Sequence, residues 1–169
     1  MEFVSRILDG SIAYDLKDLL RRGETGRASL GQDEKARHLQ KVPMLADCSQ
    51  RQLRRIASIT RVVEAPAGTV LTRVGEPGDE FFLIVDGAAT VEVPGRRRSR
   101  LGPTDFFGEM SLLDGEPRSA TVTADTDMRL LVIVRRNFQA LLREVPELTQ
   151  SILAVLSRRL RRAEQTRRV

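Results

Sequence analysis

Apolar positions change their period twice along the chain. Before residue 60 they recur three and four apart, as Phe3, Val4, Ile7 and Leu8, then Leu16, Leu19 and Leu20, and later Leu53, Ile56, Ala57 and Ile59, the spacing of one face of a helix. Asp9-Gly10-Ser11 separates the first two groups, and the run from Arg21 to Gly26 breaks the pattern after them. Gln32 to Gln40 predicts a further helix leading into Val42-Pro43, and Asp47 or Ser49 can cap one over Cys48 to Thr60. From residue 61 the pattern becomes short runs rich in Val, Thr, Ile and Phe, at 61–64, 69–74, 81–85, 89–93, 119–124 and 128–134. Gly and Pro turns punctuate them, which predicts strands. Pro94 to Arg98 reads as a solvated hairpin tip. The helical period returns over Arg135 to Val145, is interrupted at Pro146, and continues over 147–165. Regular short strands flanked by helices predict a mainly β domain, a sandwich or a barrel closed on itself.

The last helix carries two apolar stripes. Val145, Leu148, Ile152 and Val155 form one at heptad-like spacing, and Leu153, Leu156, Leu160 and Ala163 form another. A helix that only covers a barrel needs a single stripe. The second is either a surface offered to another chain or the edge of one broad face packed on its own.

The densest chemistry lies between Phe106 and Ala124, in FFGEMSLLDGEPRSATVTA. Gly108 permits close backbone approach, and a short helix over 108–113 would direct its first amides outward at an oxyanion. Arg118, past the Asp114-Gly115 turn, would supply a fixed charge and forked donors suited to phosphate or carboxylate. Glu109 at the helix start has a plain alternative as a capping charge, and Arg118 one as a surface arginine. The stretch predicts a site for a small anionic ligand.

FGEMSLLDGEPRSAT closely resembles the phosphate-binding cassette of cyclic nucleotide-binding domains, the family of bacterial cAMP receptor proteins, protein kinase A regulatory subunits and nucleotide-gated channels. The similarity extends through GEPGD at 75–79, FFLIVDG at 81–87 and LGPTDFFGE from 101, in family order. The resemblance implies an eight-stranded β jelly-roll barrel with N-terminal helices, a short cassette helix and C-terminal B and C helices. It implies ligand contacts from Phe107, Gly108, Glu109, Met110, Ser111, Arg118, Ser119 and Ala120, with Glu109 accepting the ribose 2′-hydroxyl and Arg118 pairing with the cyclic phosphate. The ligand would be cAMP, with cGMP as the alternative, since Ser119 stands where relatives carry threonine or alanine. It also places the C-terminal helix as a lid over the base. Where bacterial cAMP receptor proteins have a Thr-Ser pair for adenine, this chain has Ala163 and Glu164, so Arg158, Arg159, Arg161 or Arg162 would stack on the base instead.

The domain organisation that follows is an N-terminal helical extension at 1–41, a cyclic nucleotide-binding domain at 42–165 with its barrel at about 61–134 and helices at 135–165, and a basic tail at 166–169. The expected function is a cytoplasmic sensor whose C-terminal helices move on ligand binding, with a homodimer through the last helix or an effector protein as partner. The alternatives are the sensor of a Crp/Fnr-type transcription regulator, whose helix-turn-helix would follow Arg168-Val169, and a regulatory fragment of a channel or enzyme.

Composition narrows this little. The net charge of +5 lies at the C-terminus, where residues 158–169 hold six arginines against Glu164 while the rest is balanced. Such a run is either a solvated helix end or a contact for an acidic partner, and nucleic-acid binding by this chain alone is not expected. No apolar run reaches membrane-spanning length. A single histidine, His38, lies upstream of the strands, and a single cysteine, Cys48, supports no disulfide frame. No hydrolytic triad or multi-histidine metal set is therefore expected, and the chain reads as a binding module, not an enzyme. Gly75, Gly78, Gly87, Asp79 and Asp86 read as turn residues.

Overall fold

The structure, a computed structural model, describes residues 16–22 and 30–167. The apolar group at Phe3–Leu8 and the break after Arg22 lie outside the described residues. The helices are α1 (Leu16–Arg22), α2 (Gln32–Gln40), α3 (Gln50–Ile59), α4 (Glu109–Asp114), α5 (Arg135–Glu144) and α6 (Pro146–Arg167). The strands are β1 (Arg61–Ala65), β2 (Val70–Thr72), β3 (Glu80–Asp86), β4 (Ala89–Glu92), β5 (Ser99–Leu101), β6 (Phe106–Phe107), β7 (Thr121–Ala124) and β8 (Met128–Val134). Described residues fall into two compact units interleaved along the chain, 16–22 with 61–132 and 30–60 with 133–167.

The first unit is two four-stranded sheets, ordered β1-β8-β3-β6 and β2-β7-β4-β5. β1 pairs with β8, β2 with β7, β3 with β6 and β4 with β5, all antiparallel. This nesting of first with last and inward is the jelly-roll connection expected from the sequence. One shared core fills the space between the sheets, with Val63, Leu71, Ile84, Val122, Leu130 and Val132 among its members and Leu16 of α1 packed in from one side. Phe82 stacks on Phe107 across the β3–β6 pair at 4.6 Å, and Phe81 meets Phe106 on the opposite face at 5.5 Å. Residues 81–84 and 130–133 are buried on both faces, so these strands read as continuous apolar runs rather than alternating ones.

Two strands went unread in the sequence. β5 has an exposed, polar pattern and β6 has only two residues, so neither shows a period. The strand expected at 119–124 begins instead at Thr121, because the backbone just before it is tied to the loop after β2. The Gly75 amide donates to the Arg118 carbonyl (2.9 Å), the Arg118 amide to the Glu76 carbonyl (2.8 Å), and the Thr72 hydroxyl to the Ala120 carbonyl (2.9 Å).

The second unit is helical. Ser49, not Asp47, caps α3 through a reciprocal box, its hydroxyl accepting from the Gln52 amide (3.1 Å) and its own amide donating to Gln52 Oε1 (2.8 Å). Leu39, Leu53, Ile56, Phe138, Leu148 and Ile152 are each at most 2% exposed. Buried Lys35 donates its ammonium to the Thr60 carbonyl (2.8 Å), which gives the charge a polar partner. Arg55 and Glu144 form a two-pronged pair at 2.9 and 3.2 Å. Pro146 starts α6, a position where its missing amide leaves no helical bond unmade. On α6 the first sequence stripe is buried at Leu148 and Ile152, whereas Leu153 and Leu160 of the second are 53% and 61% exposed.

Candidate functional site

The chain leaves β6 through Gly108, whose φ of +87° is a left-handed conformation that only glycine adopts without strain. Gly108 therefore caps α4 from outside it, and the helix runs over 109–114 rather than the expected 108–113. A side chain at 108 is excluded by space as well, since a Cβ there would lie 2.7 Å from the Glu80 carbonyl and 2.9 Å from Arg118 Nη1. Gly115 closes the helix in a second left-handed turn, its amide bonded to the Ser111 carbonyl (3.1 Å), and the Asp114 carboxylate accepts from the Glu116 amide (2.9 Å). Pro117 then leads into Arg118.

Arg118 is the centre of this arrangement. Its side chain is only 5% exposed, an unusual state for a charged group unless every face has a partner. Nη1 donates to the Gly108 carbonyl at 2.9 Å, and Nη2 donates to the Glu80 carbonyl at 2.9 Å and to Glu80 Oε2 at 3.3 Å. The guanidinium carbon lies 5.7 Å from the Phe82 ring centroid. On the other side it rests against Gly78, where a Cβ would meet Arg118 Nε at 2.1 Å and Cζ at 2.3 Å. The result is a cation fixed by backbone carbonyls between two glycines, directly beside the start of α4.

The other predicted residues surround it unevenly. Glu109 and Ser111 are buried at 2% and 3% exposure. Met110 is half exposed, and its sulfur accepts from the Ser119 hydroxyl at 3.8 Å, which joins α4 to the residue after Arg118. Ala120 is half-buried and its carbonyl is taken by Thr72. Phe107 points its ring into the core against Phe82, so only its backbone is available on the site side.

Two residues central to this geometry were not among the predicted site. Gly78, read as a turn glycine, lacks a positive φ, unlike Gly75 (+84°) and Gly87 (+90°), and what demands glycine there is the Arg118 side chain. Glu80 holds Arg118 through both its carbonyl and its carboxylate, yet in sequence it is one more acidic residue before a strand.

Elsewhere, burial first and then Glu147 and Asp47 push the Cys48 thiol up, which keeps it protonated. Among the described residues no three His, Cys, Asp or Glu side chains gather as a metal site, and no helix is long and apolar enough to cross a membrane.

Comparison with known proteins bears on the same region. Residues 62–145 match the family profile described as cyclic nucleotide-binding domain. The chain is 42% identical over 109 residues to a cyclic nucleotide-gated potassium channel of Mesorhizobium japonicum, covering 64% of this chain and 30% of the channel. It is 35% identical over 115 residues to a CRP-like cAMP-activated global transcriptional regulator of Mycobacterium tuberculosis, covering 63% and 51% respectively. Among solved structures, the catabolite activator protein of Thermus thermophilus superposes with a TM-score of 0.67 at 30% identity, over 73% of this chain and 61% of that one. The match thus spans from under a third to about half of the two curated relatives.

Proposed function

Residues 62–145 belong to the cyclic nucleotide-binding domain family, and we propose that this sensor domain takes cAMP, with cGMP as the alternative, by seating the cyclic phosphate on Arg118. The observation that carries the reading is the buried guanidinium fixed by the Gly108 and Glu80 carbonyls at 2.9 Å each. A pre-positioned, poorly hydrated cation beside backbone amides binds an anion without first losing side-chain entropy. The phosphate would be met by Arg118 with backbone from Phe107, Gly108, Met110, Ser119 and Ala120, Glu109 would accept the ribose hydroxyl, and Ser111 would complete the contact set from α4. The cAMP-activated regulator of M. tuberculosis, 35% identical, supports cAMP over cGMP.

The domain works as a regulatory part of a larger cytoplasmic system rather than as an enzyme, with residues 42–165 as the functional piece. Ligand binding shifts the helices at 135–165 only in so far as they contact nucleotide better in one arrangement than another. The family is shared by transcription regulators and channels, and both remain outputs that this sensor fits. Exposed Leu153 and Leu160 support pairing of α6 with a second copy, which light scattering with and without nucleotide tests by showing dimer or monomer.

Calorimetric titration with cAMP and cGMP is the decisive experiment for the ligand. Arg118→Ala removes a charge-assisted contact worth about 1.5–3 kcal/mol, or roughly ten- to a hundredfold in affinity. Equal binding by parent and Arg118→Ala overturns the assignment.

A further inference from the structure

Arg118 is held twice over. Two backbone carbonyls at 2.9 Å and the flanking Gly78 and Gly108 already define where the guanidinium sits. The Glu80 carboxylate adds a longer contact at 3.3 Å to the same Nη2 that its own carbonyl binds. That carboxylate is also less buried than the arginine it meets, its side chain 21% exposed against 5% for Arg118. The oxygen that meets Arg118 lies 3.4 Å from the Asp79 amide as well, so it keeps a donor if it releases the arginine.

From this redundancy we infer that Glu80 is an affinity-limiting residue, whose carboxylate competes with an incoming phosphate for Arg118 and repels it. The inference rests on Arg118 being the phosphate contact proposed above. Positioning is accomplished by main chain, which no substitution at 80 removes. What the side chain contributes is a negative charge, and a negative charge beside an anion site opposes the anion by Coulomb repulsion that partial burial leaves only partly screened. Glu80 thereby holds the sensor at a weaker affinity than its carbonyl cradle permits.

Glu80→Gln keeps the acceptor oxygen and the shape while removing the charge, and Glu80→Ala removes both. Calorimetric titration with cAMP should show both variants binding roughly tenfold more tightly than the parent, a shift of the size expected for one partly screened charge close to the ligand. The ratio of parent to Glu80→Gln dissociation constants should shrink as potassium chloride is raised from tens to hundreds of millimolar. If the parent binds, Glu80→Gln binds no tighter and Glu80→Ala binds more weakly, the carboxylate is a positioning group and the inference falls while the ligand assignment stands. If neither parent nor Glu80→Gln binds cAMP or cGMP, the assignment itself falls, and the inference with it.

Discussion

Gly78→Ala is the sharpest test of how the arginine is held. The added methyl would lie 2.1 Å from Arg118 Nε, 2.3 Å from Cζ and 2.6 Å from Cδ. Reaching an ordinary contact of 3.4 Å requires a separation greater by about 1.3 Å. A free arginine would yield at little cost, but this one is buried and bonded to two carbonyls at 2.9 Å. A shift of that size lengthens or bends these bonds away from their favoured geometry. Bonds to a charged donor contribute about 1.5–3 kcal/mol each, so the variant should lose about 2–4 kcal/mol of stability after partial relaxation. Its affinity for cAMP should fall about ten- to a hundredfold, close to that of Arg118→Ala.

The control is three residues away. Gly75 has φ +84° and open space around its Cβ position, and its link to Arg118 runs from the Gly75 amide to the Arg118 carbonyl, not to the guanidinium, so Gly75→Ala strains the backbone by about 1 kcal/mol while leaving the guanidinium its room. Urea denaturation followed by titration with cAMP separates the two. Gly75→Ala should be less stable but bind as the parent does, whereas Gly78→Ala should lose both. A folded Gly78→Ala protein that binds within threefold of the parent would refute the view that this glycine exists to make room for the guanidinium.

Three further outcomes follow from particular contacts. Thr104 sits at φ +75° after Pro103, in a turn closed by the Asp105 amide on the Gly102 carbonyl at 3.0 Å; Thr104→Gly should raise the unfolding free energy by about 0.5–1 kcal/mol, and an unchanged urea midpoint would count against strain there. Ser49→Ala removes one arm of the capping box on α3 and should lower stability by about 1 kcal/mol by the same assay. The hydrogen bond from Arg55 holds the Glu144 carboxyl below its ordinary range. Because the folded value is the lower one, the pair stabilises the native state above the unfolded carboxyl pKa and loses that contribution as pH falls through the folded one. Parent and Glu144→Gln should therefore differ slightly at neutral pH and converge in acid, the difference being small because both side chains are exposed.

What the sequence revealed and what it hid divide along contact range. Strands rich in Val, Ile, Thr and Phe and helices with a clear apolar face declare themselves locally, and the cassette from Phe106 to Ala124 suggests its anion chemistry through neighbouring residues. β5 is exposed and polar and β6 has only two residues, so neither stands out as an apolar run, and β7 starts later than its apolar pattern because its neighbours bond to residues some forty positions upstream. The same distance hid the support of Arg118, since Glu80 lies 38 residues before it. A signal for that support does exist. Phe81-Phe82 and Phe106-Phe107 are matching pairs, with Phe82 opposite and stacked on Phe107 and Phe81 in tilted contact with Phe106. That register ends at Phe107, where the chain turns through Gly108 into α4, so Glu80, two residues before Phe82, lies at the β3 end nearest the cassette. Recognising the two aromatic pairs as partners would have brought residues 78–80 alongside the cassette. If Arg118 takes the phosphate as proposed, an acidic side chain 3.3 Å from its guanidinium would make its charge a lever on affinity rather than a neutral surface choice.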